Sequence, residues 1–494
     1  MSILVVDTGS SSIRAIIFDR TGKPLSQCSR KIRMAAGATG VCTLSARLFK
    51  DLLIDVCREA SSASRKDDIR IEAISLTSQR SSVLALGDGT DPLDDSIMMW
   101  HDTRSSKICE SINDRYADLI YGTAGSHLTP VMSAPKMLYL KQSDPDLYER
   151  ARKLVGIHDY FLGLVTGEAL TDVSLASRTC LLDIKKLEWS NELLDIFGLD
   201  REKLLPLLRP GDIAGHVCQS FSEATGLSPE TIVVTAGGDQ QCSVLGQGIS
   251  DTGILGVNIG SGAYACTVSD RPVFDEKRRV NINAAVTRGQ WIIEANSQSS
   301  GIVYDWFRRI AYSECDDYTK IDSDVASAPI GANGILMLPC LSGKGCPEWD
   351  PLARGVFGNI STNATRADFS RAMLEGIVFE IVDCCEAVID VAGNHKPTVN
   401  VCGGFSRFDT FDRALADALA MEINVNPNSE MTALGAWALA MTAIKAASTP
   451  YQALELVQTS PFRHIDPDPA NHEKYRSINE KRRILYRSIP FSSF

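Results

Sequence analysis

Aspartates directly after two apolar segments are the first residues of this chain that could do chemistry. Asp7 follows the segment ILVV, and Asp239 follows TIVVTAGG. A carboxylate in such a place most often caps a turn or a helix. It can also hold Mg²⁺ or accept a proton from an attacking hydroxyl group, and phosphoryl transfer needs little more than this. Both interpretations stay open for each aspartate on local pattern alone.

Four glycine-centred turns could bind phosphate, because backbone N–H groups must approach an anion closely. Each turn follows an apolar segment typical of a strand, and ligands in α/β folds bind at the carboxyl ends of strands. One such turn is more often only a turn, whereas four of them favour a phosphate site. The turns are Gly9 with Ser10, Ser11 and Ser12; Gly237 with Gly238; Gly260 with Ser261 and Gly262; and Gly403 with Gly404.

The composition indicates a globular enzyme whose main partner is not nucleic acid. The chain has 494 residues, 44% hydrophobic and 22% charged, with a net charge of −11. A basic stripe would be needed to bind nucleic acid, and only EKRRILYR near the end offers one. No apolar run could span a bilayer, and the first residues do not resemble a signal peptide. Because the 14 cysteines are scattered without a CxxC pair, we expect reduced thiols and a cytoplasmic location.

The elements that carry these residues predict an α/β fold in two halves. A strand, a glycine–serine turn and a second strand are predicted at 3–19, and a similar pattern returns at 252–270. Between them, 231–248 predicts a buried strand, a glycine turn and the start of a helix. We therefore expect one domain at 1–247 and a second at 248–494, with a cleft between them.

The C-terminal half contains predicted helices and one lysine-containing segment that could be mistaken for a Walker loop. Residues 365–393 predict a long amphipathic helix with a capping box, and 398–425 predict strand, double glycine, helix and strand. The helix at 472–489 is interpreted as a solvated terminal helix whose basic run needs no ligand. The segment LSGKGCP at 341–347 lacks the GxxxxGK[ST] spacing, so it is not a Walker loop.

Taken together, the motifs resemble those of the FGGY carbohydrate kinases, in the actin/Hsp70/sugar-kinase superfamily. DTGSSSIRAIIFD is similar to the family's first phosphate hairpin, GGDQQCSVLGQG to its catalytic segment, and NIGSGAYA to its second phosphate loop. TDVSLASRTCLLDI, SAPKMLYL and CGGFSRFDTFDRALADAL resemble further family segments, so the resemblance spans nearly the whole chain. It implies two ribonuclease-H-like (actin-like ATPase) domains, each a mixed β-sheet flanked by helices, with ATP in the interdomain cleft.

The resemblance also implies roles for single residues in the transfer of phosphate from ATP. Asp239 would be the general base that accepts a proton from the sugar hydroxyl, and Asp7 and Asp239 would bind Mg²⁺. The remaining nucleotide contacts would come from both halves: Thr8, Gly9, Ser10, Ser11, Ser12, Arg14, Gly260, Ser261, Gly262, Gly301, Asp305, Gly403 and Gly404.

The acceptor pocket is expected in the N-terminal half. By alignment with the family, glycerol kinases have Arg-Glu where this chain has Arg80-Ser81, and a tyrosine at the position of Val131; xylulokinases have Met-His at the first pair. WHDTR is closer to the W-N-D-T-R of pentulose kinases. We therefore expect a ketose or linear polyol larger than glycerol, phosphorylated at a terminal hydroxyl. Its contacts would be Gln79, Arg80, Ser81, Trp100, Asp102 and Gln240, although Trp100 could equally be a core aromatic.

Two other classes of protein stay open at this point. One is a non-kinase ATPase of the same superfamily, which would keep the phosphate loops but have no use for Asp239 beside Gln240. The other is a sugar-sensing regulator, against which the intact Asp7, Arg14 and Asp239 weigh. A homodimer is common in the family, but nothing in the sequence shows an interface.

Overall fold

The computed structural model describes most of the chain. The described residues are 2–36, 40–314, 317–428, 430–458 and 461–491, without the side chains of 406 and 407. Its helices are α1 (Ala46–Lys66), α2 (Ser106–Ala124), α3 (Ser133–Ser143), α4 (Pro145–Arg150), α5 (Ile157–Thr166), α6 (Val173–Ala176), α7 (Asn191–Phe197), α8 (Gln219–Thr225), α9 (Asp239–Gly246), α10 (Gly301–Ala311), α11 (Thr319–Ser327), α12 (Arg366–Ala392), α13 (Asp409–Leu419), α14 (Met431–Ala443), α15 (Pro450–Leu454) and α16 (Pro469–Ser488).

The N-terminal half builds a six-stranded sheet in the order β5-β6-β4-β1-β2-β3. Strands β1, β2 and β3 are antiparallel, β4 is parallel to β1, β6 is parallel to β4, and β5 is an antiparallel edge. Thr8 of β1 and Gly238 of β6 both pair with Ser78 of β4, so three strands end side by side. The strands are β1 (Ser2–Thr8), β2 (Ser12–Phe18), β3 (Pro24–Lys31), β4 (Ile71–Ser78), β5 (Ile213–His216) and β6 (Ile232–Gly238).

The C-terminal half repeats this arrangement with one extra strand, in the order β9-β10-β8-β7-β11-β12-β13. Strands β7, β8 and β10 are antiparallel, and β7, β11 and β12 are parallel. The predicted mixed sheets flanked by helices are confirmed. The strands are β7 (Ile254–Ile259), β8 (Ala263–Ser269), β9 (Asn281–Ala284), β10 (Trp291–Ser297), β11 (Thr398–Cys402), β12 (Ile423–Val425) and β13 (Arg463–Ile465).

Eleven short strands of the described part of the chain lie outside the two large sheets. They form small sheets of two or three strands. They are Ala35–Ala36, Cys42–Leu44, Leu84–Leu86, Ile97–Met98, Lys153–Val155, Thr171–Asp172, Leu182–Asp183, Glu188–Trp189, Leu207–Leu208, Leu336–Leu338 and Val356–Gly358.

Helix α14 belongs to the C-terminal half by sequence but packs on the N-terminal sheet. Its Trp437 is fully buried in a core shared with strands β1, β2 and β6, and Ser75 of β4 donates a hydrogen bond to the Ala436 carbonyl. A side chain at Gly435 would place its Cβ 2.0 Å from the Cys242 carbonyl oxygen, so glycine lets α14 approach α9 closely. The expected domain boundary between residues 247 and 248 lies, along the chain, between the last strand of the first sheet and the first strand of the second. Helix α14 follows this boundary in sequence but packs on the N-terminal sheet.

Helix α12 differs from the amphipathic helix that the sequence pattern predicted. The Thr365–Asp368 capping box is present, but 20 of the 27 residues are buried. The helix is covered on several sides because it packs against β8 and β10 of the sheet and against α11 and α13. Polar residues on its outer face are therefore buried in ion pairs instead of being solvated.

The terminal helix α16 is held by one of these buried ion pairs, which corrects its interpretation as a solvated helix. Arg482 is 1% exposed and donates to Glu380 at 2.6 Å and also to Asp383, both on α12. Lys344, from the segment LSGKGCP, donates to the same Glu380 at 2.7 Å. The lysine of that segment is therefore part of a buried ion cluster, which agrees with its rejection as a phosphate loop.

We predict that Arg482→Ala lowers the free energy of unfolding by about 3–5 kcal/mol, because it leaves buried carboxylates with too few cations. Chemical denaturation followed by circular dichroism would measure the loss. Arg476→Ala is the matched control on the same helix, since its pair with Glu473 is largely exposed and its loss should leave the free energy of unfolding nearly unchanged. Equal losses in the two variants would contradict the prediction.

Candidate active site

The turn between β1 and β2 forms the first candidate phosphate site. The Gly9 N–H donates to the Ser12 carbonyl at 2.9 Å, which closes a tight hairpin. Asp7 is 5% exposed, and its carboxylate accepts a hydrogen bond from Arg14 at 2.5 Å. Arg14 also contacts Glu430 of the C-terminal half at 2.8 Å. The arginine predicted to bind phosphate thus lies between carboxylates of both halves of the chain.

Ser10 joins this hairpin to two residues predicted for the acceptor pocket. The indole N–H of Trp100 donates to the Ser10 hydroxyl at 2.9 Å, and Ser10 donates to the Gln79 side-chain oxygen at 3.3 Å. Gln79 donates back to the Gly9 carbonyl at 3.2 Å. Trp100 is half-buried and stacks on His101, so it is not a core aromatic. The hairpin and the predicted pocket are therefore one hydrogen-bonded unit.

Asp239 is the first residue of α9, directly after the end of β6. Its side chain is about one-third exposed and accepts a hydrogen bond from the Gln240 backbone N–H at 2.7 Å. Burial raises the pKa of Asp239 to about 6, while Arg80 opposes this and Asp7 adds to it. The carboxylate is ionised at neutral pH and basic enough to take a proton.

The second candidate phosphate site is the loop between β7 and β8. The Gly301 N–H donates to the Gly260 carbonyl, and the Ile302 N–H donates to the Ser261 carbonyl, both at 3.0 Å. These bonds fix the loop, which contains Ser261 and Gly262, on the first turn of α10. Asp305 lies one turn further along α10 and accepts a hydrogen bond from the Tyr318 hydroxyl.

The glycines after β11 complete the candidate nucleotide site. Asn258 of β7 pairs with Cys402 of β11, so both strands end at the same edge, as in the N-terminal sheet. Gly403 has a φ of +108°, and a Cβ there would lie 2.2 Å from the Ile259 carbonyl oxygen. Gly404 is exposed with free space around it. Gly403 is thus required by the fold, whereas Gly404 is not.

Asp102 is placed differently from the expectation that it would contact the acceptor directly. Asp102 is fully buried, and its carboxylate accepts hydrogen bonds from Cys42 at 2.9 Å and from Arg104 at 3.0 Å. It therefore holds the loop after Trp100. Ser81 has a φ of +68° and donates to the Arg178 carbonyl at 3.2 Å. Sequence alone could not reveal the bonds to Cys42 and Arg178, because these partners are 60 and 97 residues away in the chain.

The structure adds residues of the C-terminal half to the surroundings of Asp239. Arg80 lies 3.9 Å from Asp239 and 3.5 Å from Glu294 of β10. Gln240 accepts a hydrogen bond from Asn258, and Tyr264 lies close enough that Arg80 and Asp239 affect the pKa of its hydroxyl group, which burial raises. The only sequence feature that pointed to Glu294 was its charge, which stands alone within the apolar strand WIIEANS.

The two predicted metal ligands suit Mg²⁺ that arrives with a nucleotide. Mg²⁺ is usually held by one or two carboxylates together with phosphate oxygens and water. Asp7 lies near enough to raise the pKa of Asp239 by charge repulsion. Among the described residues, no group of three or more His, Cys, Asp and Glu side chains could hold a metal by itself. The donor set therefore fits Mg²⁺ shared with a triphosphate.

The geometry suits an ATP-dependent phosphotransferase, because two similar domains carry glycine turns at corresponding sheet edges and Asp239 lies at the end of β6. Two family models match the chain, the N-terminal domain of the FGGY family of carbohydrate kinases at residues 2–246 and the C-terminal domain at 255–444. The chain belongs to the FGGY family of carbohydrate kinases. It is therefore a phosphotransferase with an alcohol group as acceptor.

Named relatives cover nearly the whole chain. A glycerol kinase of Thermococcus gammatolerans is 30% identical over 455 residues, which is 90% of this chain and 89% of the relative. A gluconokinase of Bacillus subtilis is 26% identical, covering 96% of this chain and 94% of its own length. The crystal structure of a xylulose kinase from Lactobacillus acidophilus superposes with a TM-score of 0.93 at 23% identity, covering 100% of this chain and 99% of the other, which confirms the fold.

Two further features agree with the sequence expectations. No helix in the described ranges is both long enough and apolar enough to cross a bilayer. The thirteen cysteines in the described part of the chain are all free, and the adjacent Cys384 and Cys385 are buried.

The glycines of the candidate nucleotide site allow a test that separates binding from folding. A Cβ at Gly260 or Gly404 would meet no described atom within 4 Å, whereas a Cβ at Gly301 would lie 2.5 Å from the Gly260 carbonyl oxygen. We predict that Gly260→Ala and Gly404→Ala keep the melting temperature of the free protein but bind ATP at least about tenfold more weakly.

Gly301→Ala is the contrasting variant and should melt at a lower temperature even without nucleotide. Differential scanning fluorimetry and calorimetric titration with ATP measure the two effects. Normal ATP affinity in Gly260→Ala would show that its loop does not approach the nucleotide.

Proposed function

We propose that this kinase transfers the γ-phosphate of ATP to a terminal hydroxyl of a ketose or linear polyol larger than glycerol, as in the phosphorylation of a pentulose. The observation that carries the proposal is the position of Asp239, at the end of β6 and beside the phosphate hairpin. The hydrogen-bonded chain Gly9–Gln79–Ser10–Trp100 supports it, because it ties the phosphate site to the acceptor pocket.

Asp239 acts as the general base in this proposal. The acceptor hydroxyl loses its proton to the Asp239 carboxylate while its oxygen attacks the terminal phosphorus, and ADP leaves. A loose transition state asks little basicity of the base, so a carboxylate with a pKa of about 6 is sufficient. Arg80, 3.9 Å away, keeps the carboxylate ionised before the acceptor binds.

The phosphates are held from both sides of the cleft. On the N-terminal side the backbone of Gly9 to Ser12 and the side chain of Arg14 contact them, and on the C-terminal side Gly260 to Gly262 do so. Asp7 and Asp239 would hold Mg²⁺, which would neutralise charge on the phosphate oxygens. Arg14 exchanges one of its two carboxylate partners, Asp7 or Glu430, for phosphate.

The acceptor pocket is lined by Gln79, Arg80, Ser81, Trp100 and Gln240 in this proposal. Ser81 is shorter than the glutamate of glycerol kinases, and Val131 replaces their tyrosine. Each missing polar contact to a small triol costs about 1–3 kcal/mol, which disfavours glycerol. A cytoplasmic location and a homodimer stay predictions.

We predict that Asp239→Asn and Asp239→Ala fold normally but lose at least about 100-fold in kcat, because the proton has no acceptor. ATP binding should persist, since the phosphate contacts come from the glycine turns. A coupled assay of ADP release gives kcat, and circular dichroism checks the fold. Asp19→Asn, in the surface turn after β2, is the control and should keep full activity. A kcat close to that of the unmodified enzyme in Asp239→Asn would refute the role.

A screen of pentuloses, hexuloses, tetritols, pentitols and glycerol tests the acceptor class. We predict that kcat/KM for the best pentulose or pentitol exceeds that for glycerol at least about tenfold, because the two glycerol contacts are absent. ADP release without any acceptor, unchanged by the whole panel, would contradict the proposal and favour an ATPase. If glycerol were the best acceptor, the prediction that the pocket binds acceptors larger than glycerol would be wrong.

A further inference from the structure

Four buried polar residues form a cluster beside the acceptor pocket, and the proposed mechanism uses only Arg80 among them. Arg80 and Arg178 come from the N-terminal half, and Asn283 and Glu294 come from strands β9 and β10 of the C-terminal half. Their exposed fractions are 9%, 7%, 0% and 1% respectively. We call these four residues the arginine–glutamate cluster.

The contacts within the cluster are long. Arg80 lies 3.5 Å from one oxygen of Glu294, Arg178 lies 3.7 Å from the other, and Arg178 donates to Asn283 at 3.4 Å. Arg80 also donates to Gln241 at 3.2 Å. Good charge-assisted hydrogen bonds are shorter, about 2.7–2.9 Å. The guanidinium groups are therefore not locked by the carboxylate that they share.

Three atoms of the cluster are buried and have no hydrogen-bond partner among the described residues. They are Glu294 Oε1, which can only accept, and Arg178 Nε and Asn283 Nδ2, which can only donate. A buried polar atom without a partner costs about 1–3 kcal/mol, so such atoms are rare in native proteins. This cluster contains one such acceptor and two such donors. It therefore indicates a missing group that both donates and accepts hydrogen bonds.

A hydroxyl group has this property, because it is one donor and two acceptors. It would donate to Glu294 and accept from Arg178 or Asn283. A carboxylate fits poorly: Arg80 and Arg178 carry two positive charges, and Glu294 and Asp239 carry two negative charges, so the surroundings are already balanced. One more buried negative charge would lack a partner, which is costly.

We propose that Glu294, Arg178 and Asn283 bind a hydroxyl at the end of the acceptor that is remote from the reacting carbon, and that they thereby select neutral polyols and ketoses over sugar acids. This inference rests on the proposed function. Arg80 contacts both Asp239 and Glu294, so one guanidinium group separates the base from this second site. An acceptor that reaches both must be longer than a triol. The pocket is then complete only when the two halves of the chain meet.

Two pairs of compounds test the charge preference: xylitol with D-xylonate, and D-glucitol with D-gluconate. Each is used as an acceptor or as a competitive inhibitor of the best acceptor, so that a KM or a Ki is obtained in either case. The unmodified enzyme should favour the alditol over its aldonate by at least about tenfold.

Two variants should change the ratio of KM or Ki between aldonate and alditol in opposite directions. Glu294→Gln removes a negative charge, so the preference for the alditol over the aldonate should fall by about tenfold or reverse. Asn283→Asp adds a negative charge, so it should widen the preference. Loss of structural support would instead weaken both members of a pair alike. KM for ATP should stay within about twofold in both variants, because the side chains of Glu294 and Asn283 contact Arg80 and Arg178.

Glu375→Gln is the matched control, since Glu375 is also a buried glutamate that pairs with an arginine and keeps one unpartnered oxygen, but lies on α12. Its ratios should equal those of the unmodified enzyme. Equal ratios in all three variants, as expected if only a water molecule occupies the cluster, would overturn the inference, as would an unmodified enzyme that prefers aldonates. Absence of turnover with every acceptor would instead refute the proposed kinase substrate class itself.

Discussion

The parallel pairing of β1, β4 and β6 is the constraint on which the site depends. Thr8, Ser78 and Gly238 lie in register, so the residues that follow each strand meet at one edge of the sheet. This register brings the phosphate hairpin, Gln79 and Asp239 together from positions more than two hundred residues apart. A shift of one residue in any strand would turn these side chains to opposite faces of the sheet.

The second sheet repeats the strand order of the first, and one helix joins the two halves. Strands β7 and β11 end together as β1 and β4 do, which places the second pair of glycine turns at a corresponding edge. Helix α14 then packs on α9, the helix that begins with Asp239, at the close approach that Gly435 permits. Asp239 is therefore supported by both halves of the chain.

Two arginines of this protein are each shared by two carboxylates. Arg80 lies between Asp239 and Glu294, and Arg14 lies between Asp7 and Glu430. Both arginines belong to the N-terminal half, and in each case one carboxylate comes from the other half. Such pairs link the arrangement of the halves to the electrostatics of the site, because separating the halves would leave an arginine with a single partner.

The sequence by itself determined the local elements and the family. Some features depend only on neighbouring residues, so the sequence alone predicts them. They are the strand, glycine turn and strand at 3–19 and 252–270, the capping box at Thr365 and the segment around Asp239. The burial of Arg482, the inward placement of Asp102 and the contribution of Glu294 were decided only by tertiary structure. Each of these side chains has a partner between 60 and 214 residues away, and no local pattern records which distant residue will contact a charge.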